Sequence, residues 1–206
     1  IKIVPGMIEI IEGSATSSQL RPIEPSDLLG REEVTFDIEK LSSYYKDKTV
    51  FITGAGGSIG AELLQQILCL PVRKIVAFGH GENSIHTLLQ TVGGDSRFEY
   101  VIGDVKDQDK IMCEVQRFKP DIIFHAAAHK HVPLMEEYPD EAIKNNIVGT
   151  YNCCMAAIEG NVEKFVLIST DKAVKPSSVM GASKRIAEQI VVSMNNKKTK
   201  THFILT

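Results

Sequence analysis

Thr53-Gly54-Ala55-Gly56-Gly57-Ser58-Ile59-Gly60 follows the apolar run Thr49–Thr53 and opens a stretch of helical period from Ser58 to Cys69. A glycine-rich turn between a buried strand and a helix aims backbone N–H groups and the positive helix end at one spot, which suits a phosphate. Gly54 fits the tight turn, Gly57 the close approach of a pyrophosphate, and Gly60 the packing of helix on strand; Ser58 and Ile59 lie in the first helical turn. The segment is read as the phosphate loop of a dinucleotide-binding unit.

Outward from this loop, short apolar runs alternate with longer stretches of helical period. The expected strands are Thr49–Thr53, Lys74–Phe78, Phe98–Ile102, Asp121–Ala126, Lys164–Ser169 and His202–Leu205. They are rich in Val, Ile and Phe without strict polar alternation, as parallel strands buried on both faces are. The expected helices are Ser58–Cys69, Glu82–Val92, Asp107–Phe118, Glu136–Glu159 and Ser177–Asn196. This rhythm predicts an α/β fold, a Rossmann-type doubly wound parallel sheet with its ligand crevice at the carboxyl ends of the strands. Residues 1–47 differ in texture, with Gly13-Ser14-Ala15-Thr16-Ser17-Ser18 and Pro5, Pro22 and Pro25 interrupting short apolar pieces. They are expected to form a linker or flap with a short helix from Asp37 to Tyr45 capped by Asp37, ahead of a dinucleotide-binding domain over residues 48–206. The chain opens on Ile1-Lys2-Ile3-Val4-Pro5 and stops in the strand-like His202-Phe203-Ile204-Leu205-Thr206. An excised piece, truncated before a substrate-binding subdomain, is expected.

The chain has 206 residues, 43% hydrophobic and 24% charged, with a net charge of -3, so it offers no general attraction to nucleic acid or to an anionic membrane. The cluster Lys197-Lys198-Thr199-Lys200 is read as a solvated loop. Cys69, Cys113, Cys153 and Cys154 have no C-x-x-C spacing and are expected to be reduced, buried thiols, the adjacent pair pointing to different sides of a helix. No apolar run reaches the ~18 residues that span a bilayer. His125, His129 and His131 are joined by no Cys or Asp cluster, so no metal site is expected.

Thr53 with Gly54-x-x-Gly57-x-x-Gly60 resembles the extended branch of the short-chain dehydrogenase/reductase superfamily. Gly103-Asp104-Val105 is similar to its adenine-contacting turn, His125-Ala126-Ala127-Ala128 stands where its Asn-Ala-Ala loop does, and Asn146-Ile147-Val148-Gly149-Thr150 resembles its N-V-x-G-T helix motif. The resemblance implies cofactor contacts from Asp104, Val105, Ala126, Ala127, Ala128, Asn146 and Ser169. An acidic residue often ends the second strand in that superfamily and binds the adenosine ribose. Here the position reads Phe78-Gly79-His80-Gly81-Glu82-Asn83. Without the acid, and with His80 able to face a 2′-phosphate, NADP is expected over NAD.

The superfamily's Tyr-x-x-x-Lys pair becomes Met180-Gly181-Ala182-Ser183-Lys184, preceded by Ser169-Thr170-Asp171-Lys172. Residues at i and i+4 share a helix face, so Lys184 keeps its place while Met180 supplies no proton. This combination resembles the capsular-polysaccharide (CapD-like) UDP-N-acetylglucosamine 4,6-dehydratases, as do His129-Lys130-His131-Val132-Pro133-Leu134-Met135-Glu136 and the lead-in Gln19-Leu20-Arg21-Pro22 to Asp27-Leu28-Leu29-Gly30-Arg31. The likeness covers the whole chain and is strongest from Lys48 to Glu188. It implies oxidation at sugar C4, loss of water across C5 and C6, and hydride return to C6, with retention. By the same resemblance Thr170 bonds the C4 oxygen, Asp171 is the acid, its pKa raised by partial burial, and Lys172 is the base. Lys184 holds the nicotinamide ribose, and by position His129 and Lys130 face the substrate. A UDP-hexose 4-epimerase uses the same scaffold but wants a tyrosine at 180 and has no use for the Asp171–Lys172 pair; a non-catalytic dinucleotide-binding fragment is the third reading. The family also implies a UDP-sugar substrate, self-association through the Glu136–Glu159 and Ser177–Asn196 helices, no direct membrane contact by this stretch, and a cytoplasmic domain whose parent is tethered to a bacterial inner membrane.

Overall fold

The computed structural model describes residues 37–196 and 199–206, together with the backbone of 2–3 and 21–22. The Gly13–Ser18 motif, Pro5, Pro25, the lead-in from Asp27 to Arg31, and Lys197-Lys198 lie outside the described residues. Two compact units are present, Ile1–Ile38 and Glu39–Thr206. In the first, β1 (Lys2–Ile3) pairs antiparallel with β2 (Arg21–Pro22), Lys2 opposite Pro22.

The second unit is built on six parallel strands: β3 (Thr49–Thr53), β4 (Lys74–Gly79), β5 (Phe98–Ile102), β6 (Ile122–His125), β7 (Lys164–Leu167) and β8 (His202–Leu205). Their order is β5-β4-β3-β6-β7-β8, so the chain reverses its direction of winding between β3 and β6. Thr53 is in register with His125 across that junction, and the loops leaving the two strands diverge there to make a crevice. Alternate residues of each strand feed two cores. Phe51, Phe78, Ile123 and Phe165 face one, with helices α4 (Gln108–Phe118), α7 (Gly149–Glu159) and α8 (Val179–Met194). Val50, Ile52, Ile75 and Phe124 face the other, with α2 (Ser58–Leu68) and α3 (Glu82–Val92). Each fully buried side chain of this size contributes about 1.5–3 kcal/mol. Tyr44 and Tyr45 of α1 (Ile38–Tyr45) pack against the second core, and the Tyr44 hydroxyl donates to Glu163 at 3.2 Å.

The expected helix Glu136–Glu159 is instead four pieces: α5 (Val132–Glu137), α6 (Pro139–Ala142), a π-helical turn Ile143–Val148, and α7. Pro139 starts a new helix and excludes helical geometry from Tyr138 before it, which has φ −125° and ψ 65°. The wide π turn directs both Asn145 and Asn146 into the interior. Ser177–Asn196 contracts to α8, capped by the Ser178 hydroxyl, which accepts from Gly181 N at 3.1 Å. The cysteine expectation also needs correction. Cys69 and Cys113 are exposed, while Cys153 and Cys154 enter the same core because α7 is covered by neighbours on more than one side.

Gly54 shows how tight the central junction is. Its φ is +67°, and an added Cβ would lie 2.6 Å from the backbone N and Cα of Ala127. Gly93, which ends α3 with φ +71°, would place a Cβ in open space. Gly93→Ala is therefore expected to cost only the left-handed strain, about 1–2 kcal/mol, and Gly54→Ala clearly more. Urea unfolding of both variants checks this, and equal losses would show that the approach to Ala127 carries no energy.

Candidate functional site

Two cavities lie side by side at the carboxyl ends of the strands. The first, of about 210 Å³, is lined by the phosphate-loop glycines Gly54, Gly56 and Gly57, by His80 at the end of β4, and by Val105 and Ala127. The second, of about 320 Å³, is lined by Ile59, Lys130, Thr170, Lys172, Met180 and Lys184, among others. Ala126, Ala128 and His129 line both, so the loop after β6 is their common wall.

The first cavity fits the phosphate and adenosine end of a dinucleotide. Helix α2 starts at Ser58 with Gly57 before it and no side chain capping its amides, which leaves the positive end for an anion. Gly60 packs against the turn so closely that a Cβ would come 2.3 Å from the Gly54 carbonyl oxygen, so a residue without a side chain is what lets the helix start this close to the loop. Ser58 and Ile59 are exposed in that first turn. His80 is exposed and Gly79 buried, so no carboxylate stands at this strand end. Val105 lines the cavity, whereas Asp104 shapes the turn beneath it, accepting from Lys106 N at 2.9 Å.

Behind both cavities runs a buried polar chain. His125 is fully buried, its Nδ1 2.6 Å from Thr53 Oγ1 and its Nε2 3.0 Å from Thr150 Oγ1. Burial, and secondarily the positive Lys184, lower the pKa of His125 to about 3, so the imidazole is neutral. Thr150 donates its own hydrogen to the Asn146 carbonyl at 2.6 Å, so Nε2 donates to Thr150, and Nδ1 of the neutral ring accepts from Thr53. Asn146, expected at the cofactor, is buried and grips the loop instead. Its Oδ1 accepts from His129 N at 2.8 Å, and its Nδ2 donates to the His129 carbonyl at 3.1 Å and to Ser183 Oγ at 2.9 Å. Its influence on either cavity runs through His129. Among the described residues no group of three His, Cys, Asp or Glu side chains is arranged to hold a metal.

The structure brings Ser169, Thr170, Lys172, Met180, Lys184, His129 and Lys130 to the second cavity. Met180 and Lys184 are one helical turn apart on α8, and Met180 also packs against Met135 and Ala142. Lys184 is almost wholly buried and donates to the Ile168 carbonyl at 2.9 Å. Burial lowers its pKa to about 8, the nearby Glu188 opposing the shift. Burial likewise lowers that of His129, helped by Lys106.

Asp171 departs from expectation. With Lys172 and Ala173 it forms a 3-10 turn (Asp171–Ala173) started by Thr170, and its side chain is exposed outside the cavity lining. Its pKa is lowered, not raised, first by the Thr170 hydroxyl, which donates to Oδ1 at 3.0 Å, and then by the charge of Lys172. The burial assumed for this carboxyl does not exist in the chain as it stands, so solvent and its two neighbours favour the ionised form. Residue-by-residue reading also missed Glu188, whose carboxylate accepts from the Ser169 hydroxyl at 2.6 Å and from Arg185 at 2.9 Å. Its position one turn after Lys184 was the available signal.

The family described as "Polysaccharide biosynthesis protein" matches residues 50–206. The chain is 47% identical, over 99% of its length, to the probable polysaccharide biosynthesis protein EpsC of Bacillus subtilis, of which it covers 35%. It is 47% identical, over 98% of its length, to the capsular polysaccharide biosynthesis protein CapD of Staphylococcus aureus, of which it covers 34%. It therefore spans about a third of the length of these relatives. Among solved structures, Pen from Bacillus thuringiensis superposes with a TM-score of 0.75 at 33% identity, over 79% of this chain and 50% of that one. By the family match and by its identity to these two relatives along nearly all its length, the chain belongs to the polysaccharide biosynthesis protein family.

Proposed function

We propose that this chain is the nucleotide-binding part of a retaining UDP-N-acetylglucosamine 4,6-dehydratase acting in surface polysaccharide assembly. The observation that carries the reading is that Thr170 and Lys172 line a cavity with Met180 and Lys184, Asp171 standing between them in the same turn, and that this cavity shares a wall with the phosphate-loop crevice. An elimination from C5 and C6 needs one group to take a proton and another to give one, close together. Met180 stands where the superfamily's Tyr-x-x-x-Lys pair has its tyrosine and carries no proton, which leaves proton handling to the turn.

The chemistry that a nicotinamide dinucleotide, NADP in preference to NAD, would supply when bound is hydride acceptance from C4 and hydride donation to C6. The three loop glycines, the start of α2, His80 and Val105 would hold the dinucleotide, with Ser169 and Lys184 toward its nicotinamide ribose. Thr170 bonds the C4 oxygen, whose hydroxyl proton passes to a water held by Lys172; Lys172 receives the C5 proton and gives it back to C5 once C6 has been reduced, and Asp171 protonates the C6 hydroxyl as it leaves as water. His129 and Lys130 border the sugar. The Thr170 hydroxyl has one hydrogen, now given to Asp171. Turning it to the substrate removes the main cause of the lowered Asp171 pKa, and cover by the sugar raises that pKa further, which makes the carboxyl a competent acid when substrate is present. Self-association and attachment of the parent protein to a membrane belong to the same reading.

The full-length protein with UDP-N-acetylglucosamine is expected to give a product lighter by one water in mass spectrometry; a product of unchanged mass would mark an epimerase and sink the reading. Lys172→Ala is expected to lower kcat by about 10²–10⁴-fold, the usual weight of a general base, and undiminished dehydration would remove Lys172 from that role. Because kcat/KM reports groups of the free enzyme, its alkaline limb is expected near pH 8: Lys184 is protonated below that and loses its proton as pH rises through it. Lys184→Arg should abolish this limb, and an unchanged limb in that variant would assign it to another group. Fluorescence titration is expected to show tighter binding of NADPH than of NADH; the reverse order overturns the NADP preference.

A further inference from the structure

Two successive residues beyond β7 are held from the same helix. Lys184 donates to the carbonyl of Ile168, and one turn later Glu188 takes the hydroxyl hydrogen of Ser169 at 2.6 Å. The Glu188 side chain is only 12% exposed, and its other oxygen is fixed by Arg185 at 2.9 Å. Ile168 N donates to the His125 carbonyl and Ser169 N to the Thr206 carbonyl, so the peptide is also anchored by its strand neighbours. The next residues are Thr170, Asp171 and Lys172.

The direction of the Ser169–Glu188 bond matters. An ionised carboxylate accepts only, so Ser169 must donate to it. What Ser169 then offers the second cavity, which it lines, is a pair of acceptor sites. We propose that Glu188 is a positioning residue of this cavity: it turns Ser169 into an acceptor for a donor group of the nicotinamide nucleotide and, with Lys184, clamps the strand end that leads into Thr170-Asp171-Lys172. The proposal rests on the reading that the nicotinamide end occupies this cavity.

The clamp also has an electrostatic side. The charged and titratable groups around Lys184 are His125 behind it, His129, Lys130 and Lys172 on the cavity walls, and Arg185 and Glu188 on its own helix. Glu188 is the acid in that set, and the others are neutral or positive. Removing its charge leaves nothing in the set to replace it.

The test uses the full-length protein and the variants Glu188→Gln, Glu188→Ala, Ser169→Ala and the double Ser169→Ala/Glu188→Ala. Without nucleotide, the Lys184 Nζ titration is followed by NMR, its signal assigned by loss in Lys184→Arg. In Glu188→Gln, which keeps an acceptor for Ser169 but no charge, the titration is expected to move to lower pH. NADPH binding, followed by nicotinamide fluorescence, is expected to weaken about tenfold in Glu188→Ala and in Ser169→Ala, the scale of one charge-assisted hydrogen bond. Glu188→Gln should stay within about threefold of the parent, and the double variant should bind no worse than either single one. An unmoved Lys184 titration in Glu188→Gln, or additive losses in the double variant, overturns the proposal. If the parent protein binds no pyridine nucleotide while the Lys184 titration still moves, the nucleotide reading falls and the clamp on Lys184 stands.

Discussion

The backbone of Gly54 and that of Ala127 approach so closely that no side-chain carbon fits between them. This contact sits where the sheet changes its direction of winding, and it sets the spacing of both cavities. Directly beneath it, neutral His125 accepts from Thr53 on β3 and donates to Thr150 on α7. Thr150 hands on to Asn146, and Asn146 to the His129 loop and to Ser183, one residue before Lys184. The phosphate loop, the shared wall and the lysine helix are thus joined by one buried series of hydrogen bonds. In a buried setting each of these groups costs about 1–3 kcal/mol if left unsatisfied, so the series favours a single arrangement.

Much of this was legible from sequence because its determinants are local. Continuous apolar runs set between stretches of period 3.6 placed all six parallel strands and four of the five expected helices within a few residues, and the glycine spacing marked the phosphate loop. The Met180–Lys184 interval marked one face of α8, since a turn of helix is a fixed length. What misled was whatever depended on surroundings. Partial burial of Asp171 came with the acid role that the family likeness implies, but exposure follows from what covers the turn, which no spacing encodes. The single helix expected from Glu136 onward hid a break at Pro139 and a π turn, and the π turn is what carries Asn146 to His129. The cofactor contact that the family likeness implies for Asn146 contrasts with its amide here, which bonds the His129 backbone.

The hydroxyl groups around the second cavity share a feature that constrains what can bind there. Ser169 gives its hydrogen to Glu188, and Thr170 gives its to Asp171. Each bond directs a proton toward the protein rather than into the cavity. Of the side chains lining the space, the amines of Lys130, Lys172 and Lys184 remain as strong donors, and the serine and threonine oxygens remain as acceptors. A wall of cationic donors and neutral acceptors suits a ligand that combines negative charge with several hydroxyl or amide hydrogens. It suits an extended apolar ligand poorly, because each lysine would be desolvated without a partner. Nucleotides and sugars have that mixture of groups, and the adjacent crevice with its uncapped helix end supplies the place for phosphates. The electrostatic character of the site is therefore fixed by where the neighbouring acids draw the hydroxyl protons, before any substrate arrives.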